Sequence, residues 1–137
     1  MSLDLERQQT EGIVILRLRG RLVAGDEAIE FRRLLTEQIE QGNNKAILDL
    51  RAVDYIDSTG LGNLVATHSA FEKAGGALKL LNLSKRSAEL LILTKLTTVF
   101  EMYDDEQAAV NSFFPGREVQ HFDILEFVKS EERKEKA

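Results

Sequence analysis

The feature that most restricts what this chain can fold into is a repeated change in the period of its apolar residues, from two to about 3.6 and back. In "GIVILRLRG" (Gly12 to Gly20), Val14, Leu16 and Leu18 alternate with Ile15, Arg17 and Arg19, the pattern of a strand with one face well buried. Asp26 then opens a segment in which Ala28, Phe31, Leu34, Leu35 and Ile39 recur at helical spacing, with Glu30, Arg32, Arg33, Glu37 and Glu40 mostly outside. Gly42 and the asparagines after it end that helix. "KAILDL" (Lys45 to Leu50), short, apolar and bounded by turn residues, predicts a central strand.

The alternation continues to the end of the pattern. From Thr59 to about Lys73, Leu61, Leu64, Val65, His68 and Phe71 keep helical spacings until Gly75 and Gly76 stop the helix. "ALKLLNL" (Ala77 to Leu83) predicts a strand, "SKRSAELLILTKL" a helix begun by Ser84, and "TTVFEMY" (Thr97 to Tyr103) a short strand. "DDEQAAVNSFF" places three acids at the start of a last helix, where the helix dipole favours them. Such an order predicts an α/β fold: a small mixed β-sheet of about five strands with about four helices, parallel where a helix crosses between strands. An initial hairpin from residues 3–8 and 12–19 supplies the antiparallel part.

A chain of 137 residues suffices for one substantial core. Pro115 and Gly116 mark a boundary, giving a domain over 1–114 and a C-terminal extension over 115–137. In the extension Phe122, Leu125 and Val128 predict a helix that packs on the domain or on a second copy, which allows a homodimer. The final "EERKEKA" has little to bury and is expected to fray.

Charge and inventory then narrow the function. With 18 basic and 23 acidic side chains the net charge is −5, which argues against a general electrostatic grip on nucleic acid or on an anionic membrane. The absence of cysteine excludes disulfides, thiolate metal sites and thiol catalysis, and fits a reducing compartment. "MSLDLERQQ" lacks the apolar core of a signal peptide, and apolar runs such as "LLIL" (Leu90 to Leu93) are far too short to span a bilayer. The expected location is cytoplasmic.

The chemistry of the chain concentrates in "YIDSTGLG" (Tyr55 to Gly62), two hydroxyl residues and two glycines between an apolar strand and an apolar helix. A nucleophilic serine needs a base within hydrogen-bond reach. His68 lies ten residues beyond Ser58, roughly 15 Å along a helix axis, and reads as a packing residue. His121 has no spacing that resembles a catalytic or metal motif. "GLGNL" lacks the lysine of a P-loop and the third glycine of a dinucleotide fingerprint. No enzyme, cofactor or metal site is therefore expected. Asp54 and Asp57 read as capping and solubilising acids, and Arg17, Arg19 and Arg21 as a solvated basic sheet face. Ser58 or Asp57 suits the N-cap of the following helix. A helix N-terminus reached from a strand's carboxyl end is also an exposed crevice friendly to anions, so the fold would tolerate a phosphate there.

"LRLRGRL" (Leu16 to Leu22), "KAILDLRAVDYIDSTGLGNLV" (Lys45 to Val65), "GGALKLLNL" (Gly75 to Leu83) and "LTKLTTVFEMYDDEQAAV" (Leu93 to Val110) together resemble the STAS family, and within it the bacterial anti-sigma factor antagonists. The resemblance covers residues 3 to about 114, and "DSTGLG" is its most specific part. It implies a mixed sheet with helices on one side, and a partner-switching role in signal transduction and transcription regulation. It also implies that Ser58 is phosphorylated by a partner that is both anti-sigma factor and protein kinase, with Thr59 the second choice as acceptor. The unphosphorylated protein would sequester that partner through Asp57, Ser58, Thr59, Gly60, Leu61 and Gly62, phosphorylation would release it, and a serine phosphatase would reset the phosphoprotein. The alternative is a STAS scaffold that joins a signalling or transport complex without switching. One departure from the family pattern is Val23, with Ala24, Gly25 and Asp26 following, where an acidic residue often engages the kinase.

Overall fold

The computed structural model describes residues 3–136. Strands β1 (Asp4–Thr10) and β2 (Ile13–Leu22) form the opening hairpin, paired antiparallel from Thr10↔Ile13 outward. The two residues between them, Glu11 and Gly12, both take positive φ (52° and 81°), the backbone of a turn whose twist matches a tight hairpin. Then follow α1 (Asp26–Glu40), β3 (Lys45–Ile56), α2 (Ser58–Lys73), β4 (Ala77–Leu81), α3 (Lys85–Leu93), β5 (Met102–Tyr103), α4 (Glu106–Asn111) and α5 (Ile124–Lys136).

The five strands lie in sequence order, β1-β2-β3-β4-β5, and every pair after the hairpin is parallel. Right-handed crossovers that always step in the same direction put their helices on one face. There, Val14, Leu16, Leu18, Ala46, Leu48, Leu50, Leu78 and Leu80 meet Phe31 and Leu35 of α1, Leu61, Leu64 and Phe71 of α2, and Ala88 and Leu91 of α3. The opposite face carries a smaller cluster, Ile13, Ile15, Ile47 and Leu81 under Ala109 and Val110, with Phe113 and Phe114 packed against it. Because both faces are covered at that end, β2 opens with four consecutive buried residues, as sequence alternation alone does not foretell.

Three expectations need correction. β3 is twelve residues long and runs to Ile56, well past Leu50. Arg51 and Asp54 interrupt the apolar run, yet Val53 and Ile56 remain buried and the ladder to β2 continues to Leu22↔Ile56 after a register shift. "TTVFEMY" supplies only the two residues of β5, since Leu80 and Asn82 donate to Glu101 and Tyr103 alone and the preceding residues form turns. Helices number five among the described residues, of which only α4, with six residues, is shorter than nine, in keeping with the expected sheet of about five strands with about four helices.

The third correction concerns the extension. Its helix begins after Asp123, whose carboxylate accepts the Glu126 N–H at 3.1 Å, so Phe122 lies outside it. Ile124, Phe127 and Val128 pack on the core, whereas Leu125 is 57% exposed. The stripe is thus displaced from the predicted Phe122, Leu125 and Val128. At the charged end, where fraying was expected, the helix runs through Lys136, with Glu135 bridging to Lys85 on α3 and Arg133 to Glu126. No helix among the described residues is long and apolar enough to cross a membrane.

Candidate functional site

β3 delivers the DSTGLG segment to the carboxyl end of the sheet. Its last partner in β4 is Leu81, opposite Asp49, while its pairing with β2 goes on to Ile56. The end of β3 therefore projects beyond β4, and α2 starts from this overhang.

Asp57 is the N-cap of α2, with extended backbone (φ −95°, ψ −177°). Its Oδ1 accepts the Gly60 N–H at 2.8 Å and its Oδ2 accepts the Ala24 N–H at 3.0 Å. The Asp57 N–H in turn donates to the Leu22 carbonyl at 3.0 Å. One residue thus caps its own helix and fastens the loop between β2 and α1 to the loop between β3 and α2. Hydrogen bonds from Gly60 first, and then from Ala24, hold the Asp57 carboxyl below the usual carboxylate range. It stays ionised through neutral pH.

Because Asp57 is the cap, Ser58 falls at the first position inside the helix, exposed, and Thr59 follows, also exposed. The Ser58 hydroxyl is not needed to begin α2. Of the residues expected at a partner surface, Ser58, Thr59 and Gly62 face solvent, Asp57 is half-buried, and Gly60 and Leu61 are turned inward. Gly60 owes its identity to the protein itself: a Cβ there would lie 1.9 Å from the Leu22 carbonyl oxygen. An added Cβ at Gly62 meets nothing within 4 Å, so only the second glycine leaves room for an approaching molecule.

Val23 is half-buried in the fastened loop and Asp26 is exposed at the start of α1, which makes Asp26 the carboxylate that this loop offers to solvent. Asn63 donates to the Ala28 carbonyl at 3.3 Å and ties the start of α1 to α2. Beside it Ile29 is 70% exposed. Sequence reasoning passed over Ile29, although an isoleucine off the Ala28–Phe31–Leu35 stripe was a readable signal. Tyr55 and Arg86 were also missed: the guanidinium of Arg86, from the first turn of α3, lies 5.5 Å from the centroid of the Tyr55 ring.

The remaining candidates have structural roles. His68 packs edge-on against Phe100 (5.2 Å, 65°), with Nε2 3.3 Å from Glu72, far down α2 from Ser58. Arg17 pairs with both Asp49 and Glu106 at 2.9 Å, and Arg21 pairs with Glu27 at 3.3 Å. Buried Asp49 also accepts from Asn82 and from the Arg51 N–H. No cluster of three or more potential metal ligands occurs among the described residues.

What this arrangement provides is an exposed hydroxyl at the positive end of a 16-residue helix, on a scaffold that does not depend on it. Comparison with known proteins establishes the family and the fold. The STAS domain family model matches residues 4–109. An anti-sigma-B factor antagonist of Bacillus subtilis is 32% identical over 110 residues, covering 80% of this chain and 99% of that protein. Among solved structures, a Thermotoga maritima protein assigned to the anti-sigma factor antagonists superposes with a TM-score of 0.73 at 26% identity, covering 79% of this chain and 92% of the other. The Bacillus cell fate determinant SpoIIAA in its phosphorylated form shares the fold at a TM-score of 0.61 and 22% identity, over 80% and 99% of the two chains.

Proposed function

The chain belongs to the STAS domain family, and on that premise we propose that it is a cytoplasmic, phospho-switched anti-sigma factor antagonist. Unphosphorylated, it binds a kinase-type anti-sigma factor through the surface around Ser58, Thr59 and Gly62, with Asp57, Gly60 and Leu61 holding that surface in shape. The partner transfers a phosphoryl group from its ATP to Ser58 and lets go, and a serine phosphatase restores the binding form. The antagonist itself catalyses nothing. The observation that carries this reading is the position of Ser58, exposed one residue past a cap that Asp57 already provides.

The physics of the switch follows from charge. A phosphate adds about −1.5 to −2 charges at neutral pH. In the free protein the dipole of α2 offsets part of that, typically about 0.3–1 kcal/mol at an exposed site, so folding survives. In a complex the same dianion would be buried without a partner, at a cost of several kcal/mol. Even about 3 kcal/mol lowers affinity more than a hundredfold.

The test pairs intact-mass analysis after incubation with the purified kinase-type anti-sigma factor and ATP with calorimetric affinities. Ser58→Ala should block modification and keep binding, while Ser58→Asp or Ser58→Glu should weaken binding in a folded protein. Equal binding by every variant, or phosphate elsewhere with Ser58 bare, would replace the switch with a non-switching scaffold of a signalling or transport complex.

A further inference from the structure

Tyr55 and Arg86 stand at the overhang of β3 without a structural duty that accounts for their exposure. Tyr55 precedes the Asp57 cap by two residues and is 41% exposed. Past the last β3–β4 pair, Asp49↔Leu81, no strand among the described residues covers that edge of β3, and α3 begins alongside. Ser84 caps α3 by accepting the Ser87 N–H at 3.1 Å, which fixes the first turn and with it the stem of Arg86. The neighbouring Lys85 is occupied by Glu135 of α5. Arg86 is exposed and enters no ion pair among the described residues; it lies over the Tyr55 ring instead.

We propose that Tyr55 and Arg86, the guanidinium lying over the ring, anchor the partner-contact surface next to Ser58, and that Arg86 receives a carboxylate of the anti-sigma factor. The inference rests on the function proposed above. Three physical arguments support it. A stable protein interface covers about 800 Å² on each side, so a partner seated on Ser58 extends well past the loop onto its immediate neighbours. Tyrosine and arginine are the residues that most often dominate such interfaces, and a pair already held against each other loses less freedom on binding than two mobile side chains. On a chain of net charge −5, an arginine without a carboxylate of its own keeps its planar donors available for one on another molecule. Arg33 on α1 offers the contrast: Glu30 and Glu37 already hold it.

Calorimetric titration of the full chain with the purified kinase-type anti-sigma factor tests the proposal. Arg86→Ala and Tyr55→Ala should each weaken binding by about tenfold or more. Arg86→Glu should weaken it further, and the difference should shrink as salt is raised. Arg33→Ala should bind as the unaltered chain does, and thermal melts should show all four variants folded. Binding of Arg86→Ala and Tyr55→Ala within twofold of the unaltered chain, while Ser58→Glu still disrupts the complex, would overturn this inference alone. Equal losses for Arg86→Ala and Arg86→Glu at every salt concentration would overturn the carboxylate assignment. Failure of the unaltered chain to bind would overturn this proposal together with the function on which it rests.

Discussion

The junction of β3 and α2 and the C-terminal helix α5 are both amphipathic, but they are anchored to the core in different ways. The junction grows from a strand whose Ala46, Ile47, Leu48 and Leu50 are buried, and it enters a helix with five buried residues. α5 has no fully buried residue; Ile124, Phe127 and Val128 rest half-covered, helped by the Lys85–Glu135 bridge. An exposed segment keeps a definite shape when the elements behind it are deeply buried. α5 shows the opposite balance, in which order depends on partial burial and surface ion pairs, each pair contributing about 0–1 kcal/mol.

The contrast can be broken most forcefully from the junction's side. Leu48→Ala, at a fully buried position of the central strand, should cost about 2–5 kcal/mol in denaturant melts. Phe127→Ala, in half-buried contact with the core and Phe122, should cost only about 1–2 kcal/mol by the same measurement. If the Phe127 change matched the Leu48 change, α5 would be a core element and the contrast would vanish.

Smaller effects sharpen the picture of the junction. Asp57→Asn removes the acceptor for the Ala24 N–H and should lower the melting midpoint by a few degrees at neutral pH. Since the folded carboxyl is depressed, its contribution is present above the ordinary aspartate range and is lost as pH falls through the folded value. Melts of both proteins from pH 7 to pH 3 should therefore converge at the acid end. Ser58→Ala should have the least effect, within about 0.5 kcal/mol, because the cap is Asp57 and the hydroxyl is exposed. A larger loss would give Ser58 a structural role.

The elements legible in the sequence are those in which burial follows one clean period. β2, α1, α2 and β4 bury the residues that spacing selected, such as Phe31 and Leu35 on α1 or Leu64 and Phe71 on α2. The second half of β3 was illegible because only Val53 and Ile56 stay covered there, while Arg51, Asp54 and Tyr55 face out. β5 is short since backbone pairing, and not side-chain pattern, defines it. The α5 stripe was misplaced because its phase is set by the Asp123 turn, and Leu125 and Phe122 are as apolar as the residues that pack. At the site, the motif pointed to Ser58 but could not say which glycine serves the fold. That distinction lies in the Leu22 backbone, 38 residues before Gly60 in the chain and against it in space.

The two bonds accepted by Asp57 bear on motion as well as position. The amides of Ala24 and Gly60 belong to different loops yet share one carboxylate. Neither loop can open fully without releasing that acceptor, so hydrogen exchange at the two amides should slow and quicken in concert. A charge placed on Ser58, as by Ser58→Glu, would push on the same carboxylate, and the expected sign is faster exchange at Ala24, which lies in the other loop.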